Sequence, residues 1–116
     1  MSDIKARKGK PFASDAEIAW QPAGPGMKRK ILSYGDGMMV VRVDFEAGAV
    51  GQLHHHPHLQ SAYVVSGVFD VTIDGTTQRL SAGDTYLVAS DIVHGAVCIE
   101  PGTLVDIFTP MREDFI

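Results

Sequence analysis

Residues 48–67 read GAVGQLHHHPHLQSAYVVSG, and this stretch holds four of the five histidines of the chain. The residues around the histidines alternate as in β-strands, where side chains two positions apart share a face. His54, His56 and, in an extended strand, His58 then point to one side, and His55 points to the other. A metal site inside a β-barrel requires such an arrangement, so the stretch predicts a small barrel with one metal at its centre.

Length and composition indicate one ordinary globular domain. The chain has 116 residues, of which 45% are hydrophobic and 21% charged, and it is too short for two well-packed domains. We predict a single β-barrel domain over residues 16–116. The polar residues 1–15 show no periodicity and are predicted to form an N-terminal arm that is flexible or packed on a partner.

Charge and hydropathy argue against two classes of partner. A net charge of −4 gives no electrostatic footprint for nucleic acid, and no apolar run approaches the length of a membrane span. The N-terminus lacks the apolar core of a secretion signal and Cys98 is the single cysteine, so we predict a cytoplasmic protein. The basic residues at 5–10 and 28–30 are interpreted as solvated charges.

The rest of the chain predicts short strands separated by turns. Residues 38–45, MMVVRVDF, alternate an apolar face with a mixed one, as a half-buried strand does. Asp74–Gly75 indicates a hairpin and Pro101–Gly102 a further turn. Ten short strands with no helical periodicity predict an all-β sandwich or barrel.

The spacing within the histidine stretch resembles the first sequence motif of the cupin superfamily. Gly48, His54, His56, Gln60 and Gly67 stand at the motif's intervals of five, one, three and six residues, with glutamine where glutamate is commoner. The resemblance implies an all-β cupin fold, a double-stranded β-helix that forms a jelly-roll-like barrel.

The second cupin motif is matched only in part. Gly83 and His94 stand at its spacing, and His94 is the histidine expected as the fourth ligand. Ala89, Asp91 and Cys98 replace the usual proline, glycine and asparagine. These three positions shape a turn and a strand end, so their replacement weakens the motif more than it weakens the assignment of the ligand.

The resemblance implies one divalent transition metal with four ligands from the chain, His54, His56, Gln60 and His94. Imidazole nitrogens and an amide oxygen suit a borderline cation, and the lack of thiolates argues against a structural zinc site. Neutral ligands leave the cation its full charge, which makes it a strong Lewis acid. Nickel, zinc, manganese and iron all remain open. His55 is expected to face away from the metal, and His58 to lie behind the ligands or at the surface.

An acidic residue lies on the inward face of the last predicted strand. Asp106 shares that face with Phe108, and a carboxylate among apolar residues requires a reason. One reason is catalysis, since an inward carboxylate near a metal can act as general acid or base. The other is a structural salt bridge with Arg42 or Arg112.

Two patterns together, HxHPHxQ at 54–60 and DxFxPxREDF at 106–115, resemble the KdgF-type pectin-degradation cupins. The resemblance implies an enzyme that converts 4,5-unsaturated uronates, released by pectate or alginate lyases, to linear keto-uronates by ring opening and tautomerisation. Carried over to this chain, Asp106 is the catalytic acid and base, and Phe108 and Arg112 line the site of a small sugar-acid substrate. Arg112 would pair with the uronate carboxylate in bidentate fashion.

Two other functions fit a small cupin. One is a dioxygenase that uses iron and oxygen, and the other is a non-catalytic module that binds sugars. We also expect a homodimer, because exposed sheet edges otherwise invite uncontrolled association.

Overall fold

The computed structural model describes residues 3–116, and β-strands dominate it. The strands are β1 Gln21–Pro22, β2 Met27–Gly35, β3 Met38–Phe45, β4 Val50–His54, β5 Leu59–Ile73, β6 Thr76–Ser81, β7 Thr85–Val88 and β8 His94–Thr109. The helical elements are short, namely α1 Ile4–Arg7 and two 3₁₀ turns at Asp15–Glu17 and Glu113–Phe115. The predicted all-β class is confirmed.

One antiparallel sheet curls round a central space. The strand order is β1-β2-β3-β8-β5-β6, with β4 also paired to β8 and β7 to β5. The predicted apolar face of β3 is buried: Val41 is fully inaccessible, and Phe45 packs edge-on against Phe69 of β5 with ring centroids 5.0 Å apart. These apolar side chains fill one part of the barrel interior, and a cavity occupies another part.

The prediction of ten short strands is wrong, because pairs of predicted strands join into β5 and β8. Residues 3–116 form eight strands, and β5 and β8 run for 15 and 16 residues. The predicted turn at Pro101–Gly102 lies inside β8, and Gly67, with φ +87°, lies inside β5 where the pairing register shifts. These residues bend long strands round the barrel instead of ending them.

The two bends cross at close range, and glycine is required at both positions. A Cβ on Gly102 would meet the Ser66 carbonyl oxygen and lie 2.6 Å from the Gly67 Cα, which are backbone atoms that cannot rotate away. We therefore expect Gly102→Ala to lower the free energy of unfolding by about 1–3 kcal/mol, the usual cost of overpacking. Urea denaturation measures this effect.

Gly37→Ala is the matched control for this prediction. A Cβ on Gly37 would have no heavy atom within 4 Å, and its φ is not positive. We expect the control to unfold at nearly the urea concentration of the unaltered protein. Equal midpoints for the two variants would show that the crossing does not constrain the chain.

The described part of the N-terminal arm, residues 3–15, contacts the barrel of its own chain. The Tyr34 hydroxyl donates a hydrogen bond to the Ile4 carbonyl at 2.7 Å, and the Gly9 N–H donates to the Tyr34 carbonyl at 2.8 Å. The Arg7 side chain donates to the Leu32 carbonyl at 3.0 Å. Residues 1 and 2 of the arm lie outside the described residues, and its boundary with the domain stays a prediction.

From residue 3 to residue 116, the structure contains no helix with the length and apolar character needed to cross a membrane.

Candidate metal centre

Pairing of β4 with β8 brings two distant histidines together. His54, the last residue of β4, is the Cα partner of His94, the first residue of β8. His56 follows in the loop, and Gln60 enters from β5, where it pairs with Phe108 of β8. The ligand atoms of the three histidines lie within 4.8 Å of one another, as the motif spacing predicts.

Backbone carbonyls orient all three imidazole rings in the same way. The Nδ1 atoms lie 2.7 to 3.0 Å from the carbonyl oxygens of Gln52 for His54, His58 for His56 and Ile92 for His94. A carbonyl can only accept, so each Nδ1 carries the proton and donates it. Each Nε2 is then left with its lone pair free, which is how metal-binding histidines are commonly prepared.

Gln60 closes the cluster with its side-chain amide. Its Oε1 lies 3.0 Å from His56 Nε2 and 3.1 Å from His94 Nε2, while its Nε2 donates to Asp106 Oδ1 at 3.2 Å. Three lone-pair acceptors therefore meet with no proton between them. A cation among them relieves this conflict, so the residues fit the metal site that the resemblance implies.

Burial keeps the two inner histidines of the cluster neutral. His56 and His94 are only 6% and 3% exposed, whereas His54 lies at the open side of the cluster. Burial lowers the pKa of His94 to about 4. Burial also lowers the pKa of His56, and the positive charge of Arg112 makes a smaller contribution in the same direction. At neutral pH both rings are uncharged and can bind a divalent cation.

A cavity of about 560 Å³ opens beside the histidines, and Asp106 faces it from the middle of the barrel. Burial raises the pKa of Asp106 to about 7, against the opposing effects of the Gln60 hydrogen bond and the Arg112 charge. Within residues 3–116 the Asp106 carboxylate takes part in no salt bridge, because Arg42 binds Asp15 and Asp44 while Arg112 binds Asp114. The structural-salt-bridge interpretation of Asp106 is therefore contradicted.

The structure also places the two residues predicted to line the substrate site. Phe108 is buried, and its ring centroid lies 5.7 Å from that of His56. Arg112 borders the cavity, with its guanidinium 5.0 Å from the centre of the Phe108 ring. Both lie at the wall of the cavity, and their roles stay predictions.

The other two clustered histidines do not belong to the group of three candidate ligands. His55 Nδ1 lies 3.6 Å from an oxygen of Asp91 at the surface. His58 Nε2 lies 3.1 Å from the Met111 carbonyl and so holds the chain that follows β8. Each position agrees with the expectation from the sequence.

Two residues of the cavity wall, Arg29 and Tyr86, were missed from the sequence. From the sequence, Arg29 is grouped with the solvated basic residues at 28–30. In β2, however, Arg29 lies two positions from Met27 and from Ile31, so it shares their inward face. That interpretation is wrong for Lys30 as well, which is 7% exposed and donates to Asp15 at 2.6 Å.

Tyr86 could have been found by the same signal. It lies two positions before the buried Val88 in β7, so both side chains face inward. Burial, together with the nearby Asp106, raises the pKa of Tyr86 well above 10.0, so its hydroxyl remains protonated.

Comparisons with known proteins agree with this arrangement. The family model described as the cupin domain matches residues 41–108, which include all four candidate ligands and Asp106. The pectin degradation protein KdgF of Dickeya dadantii is 43% identical over 104 residues, which cover 88% of this chain and 94% of that protein.

Two solved structures have the same fold over nearly their whole length. KdgF from Halomonas sp. superposes with a TM-score of 0.87 at 41% identity, covering 90% of this chain and 97% of that one. An RmlC-like cupin from Shewanella frigidimarina gives a TM-score of 0.91 at 39% identity, covering 95% and 99%.

Proposed function

This chain belongs to the cupin domain family, and on that premise we propose that it is a metal-dependent enzyme that opens the ring of 4,5-unsaturated uronates. The product is the linear keto-uronate. The observation that carries the proposal is the position of Asp106, whose carboxyl group faces the cavity and contacts the metal-site residue Gln60. The similarity to the KdgF proteins, one of which is named for pectin degradation, supports the same substrate class.

The ligands of the metal would be His54, His56, Gln60 and His94. A divalent transition metal bound there would polarise the oxygens of the substrate as a Lewis acid. The chain prepares this site with neutral imidazoles and with an amide whose oxygen faces the rings. Which of nickel, zinc, manganese or iron is bound would be decided by supply as much as by affinity.

Asp106 would move the single proton that the reaction requires. Ring opening breaks the bond between C1 and the ring oxygen, the C1 hydroxyl loses its proton, and C1 becomes an aldehyde. The ring oxygen remains on C5 as an enolate, and C4 must gain a proton for C5 to become a ketone. A carboxyl group that accepts the hydroxyl proton and returns one to carbon balances the reaction, so no redox step or organic cofactor is needed.

The test is an assay with 4,5-unsaturated galacturonate in which the loss of enol-ether absorbance is followed. We expect the metal-loaded protein to exceed the spontaneous rate without consuming oxygen. Oxygen consumption with the iron form would favour the dioxygenase alternative. Binding of the sugar acid without any acceleration would favour a non-catalytic module and would contradict the proposal.

We propose in addition that the protein is a cytoplasmic homodimer. Support comes from apolar side chains on the outer face of the barrel, among which Leu53 and Leu87 are 62% and 65% exposed. Pairing of two such faces would remove them from water.

A further inference from the structure

The guanidinium of Arg112, the expected partner of the substrate carboxylate, is already engaged. Its Nε donates to Asp114 Oδ1 at 2.9 Å and its Nη2 to Asp114 Oδ2 at 2.7 Å, which is a bidentate pair. A second carboxylate could take this edge only by displacing Asp114. Arg112 can therefore bind a uronate only through its charge and its remaining N–H groups.

Arg29 lies in the same wall of the cavity and has no carboxylate partner among residues 3–116. Its Nε donates to the Gln21 side chain at 3.2 Å, which leaves the terminal nitrogens free of protein partners in that range. Arg29 is partly buried, and this burial lowers its pKa. The positive charge of Arg112 makes a smaller contribution in the same direction. An arginine nevertheless remains charged, and the carboxylate whose charge acts on it, Asp114, is hydrogen-bonded to Arg112 and not to Arg29. Among residues 3–116 this half-buried cation therefore has no directly bound anion.

Phe115 holds the two arginines at this end of the cavity. The guanidinium carbons of Arg29 and Arg112 lie over its ring at 3.8 and 4.3 Å from the centroid. The ring itself packs edge-on against Phe108 at 5.8 Å. Stacking fixes the plane of a guanidinium and so prepares it to bind a planar anion before the anion arrives.

We propose that Arg29, stacked on Phe115, is the main binding residue for the carboxylate of the sugar acid, and that Arg112 is a secondary one held by Asp114. The assignment rests on the proposed function, since it identifies the group that selects an acidic sugar in that same cavity. The two terminal nitrogens of Arg29 match the spacing of two carboxylate oxygens, which gives a bidentate contact. A neutral sugar or a uronate ester would leave Arg29 without a bound carboxylate.

The experiment compares Arg29→Gln, Arg29→Lys and Arg112→Gln with the surface control Arg79→Gln, whose partner Asp70 is remote from the cavity lining. Rates are measured with 4,5-unsaturated galacturonate and with its methyl ester. Binding of D-galacturonate, which lacks the enol ether, is measured separately by calorimetry. Melting temperature and metal content show which variants are folded and loaded.

For Arg29→Gln we expect KM for the acid and Kd for D-galacturonate to rise roughly 10- to 100-fold, as for a lost hydrogen bond to a charged group. Its kcat, and its KM for the methyl ester, should remain at the values of the unaltered protein. Arg29→Lys should recover part of the affinity, because it keeps the charge and loses the planar fork. Arg112→Gln should have the smaller effect on KM and Kd, and Arg79→Gln none.

Two results would overturn the assignment. One is a KM for the acid that Arg29→Gln leaves unchanged, and the other is an equal rise for acid and ester, which indicates a purely structural role. If the unaltered protein does not accelerate ring opening, the proposed function fails, and the role of Arg29 is then decided by D-galacturonate binding alone. Binding that is undetectable, or equally tight in Arg29→Gln, overturns it.

Discussion

We expect Asp106→Asn to lower the rate of the proposed ring opening of 4,5-unsaturated galacturonate by about 10²- to 10⁴-fold, the usual contribution of a general acid and base. The change is nearly isosteric, and the new amide oxygen can still accept the hydrogen bond that Gln60 donates to Asp106 Oδ1 at 3.2 Å. What the amide cannot do is take a proton from the hemiacetal hydroxyl and return one to carbon. The measurement is the initial loss of enol-ether absorbance, corrected for the spontaneous rate.

The control for this variant is Asp70→Asn, which removes a surface carboxylate paired with Arg79. We expect the control to retain full activity. Metal content must be equal in both variants, because Asp106 contacts a predicted ligand. If Asp106→Asn with bound metal is as active as the unaltered protein, the proton has another carrier, and the mechanism proposed for Asp106 is wrong.

The second large effect is expected from removal of the metal or of one buried ligand. Chelation should reduce activity to the spontaneous rate, and one of nickel, zinc, manganese or iron should restore it. His56→Ala should resist restoration, since loss of a ligand exceeds the roughly 10- to 100-fold loss of affinity caused by changes behind a ligand. Added metal should raise the melting temperature of the unaltered protein, and hardly that of the variant, because the metal binds only the folded site.

His55→Ala provides a matched control from the adjacent position. Its ring lies at the surface beside Asp91, whereas His56 is 6% exposed and contacts Gln60. Both variants remove one imidazole, so they differ only in the direction in which it points. We expect His55→Ala to bind metal and to melt like the unaltered protein. Equal damage in the two variants would place the metal elsewhere.

The grouping of the histidines in the candidate metal centre could be predicted from the sequence because most of the information is local. The alternation that separates His54 and His56 from His55 is a property of any extended strand, and Gln60 follows at a fixed interval. Only His94 is distant in sequence from the other candidate ligands, and it was identified through the partly matched second motif. In the structure the side chains of His54, His56 and His94 lie together, and their role as metal ligands stays a prediction.

The lengths of the strands could not be predicted, because the deciding contacts are remote in sequence. Gly67 and Pro101–Gly102 look like turns when only their neighbours are considered. They instead bend two long strands at a point where the two backbones cross, and a crossing between residues so far apart leaves no local pattern.

The surroundings of Arg29 and Arg112 at the cavity wall could not be predicted, for a different reason. Arg112 was assigned without its neighbour Asp114, which stands only two positions along and occupies its guanidinium. Arg29 lies between Lys28 and Lys30, so its charge suggested a solvated cluster although its strand position is inward. For Arg29 the type of residue was given more weight than its position in the strand.

The course of β8 has a further consequence. This one strand contributes His94 at its start and Asp106 near its end, and both face the interior. A molecule in which β8 paired one residue out of register would turn its side chains to the opposite face, so a candidate metal ligand and the proposed proton carrier would leave the cavity together. Under the proposed function such molecules would be inactive, and the specific activity of a preparation would report the fraction of molecules with the correct register.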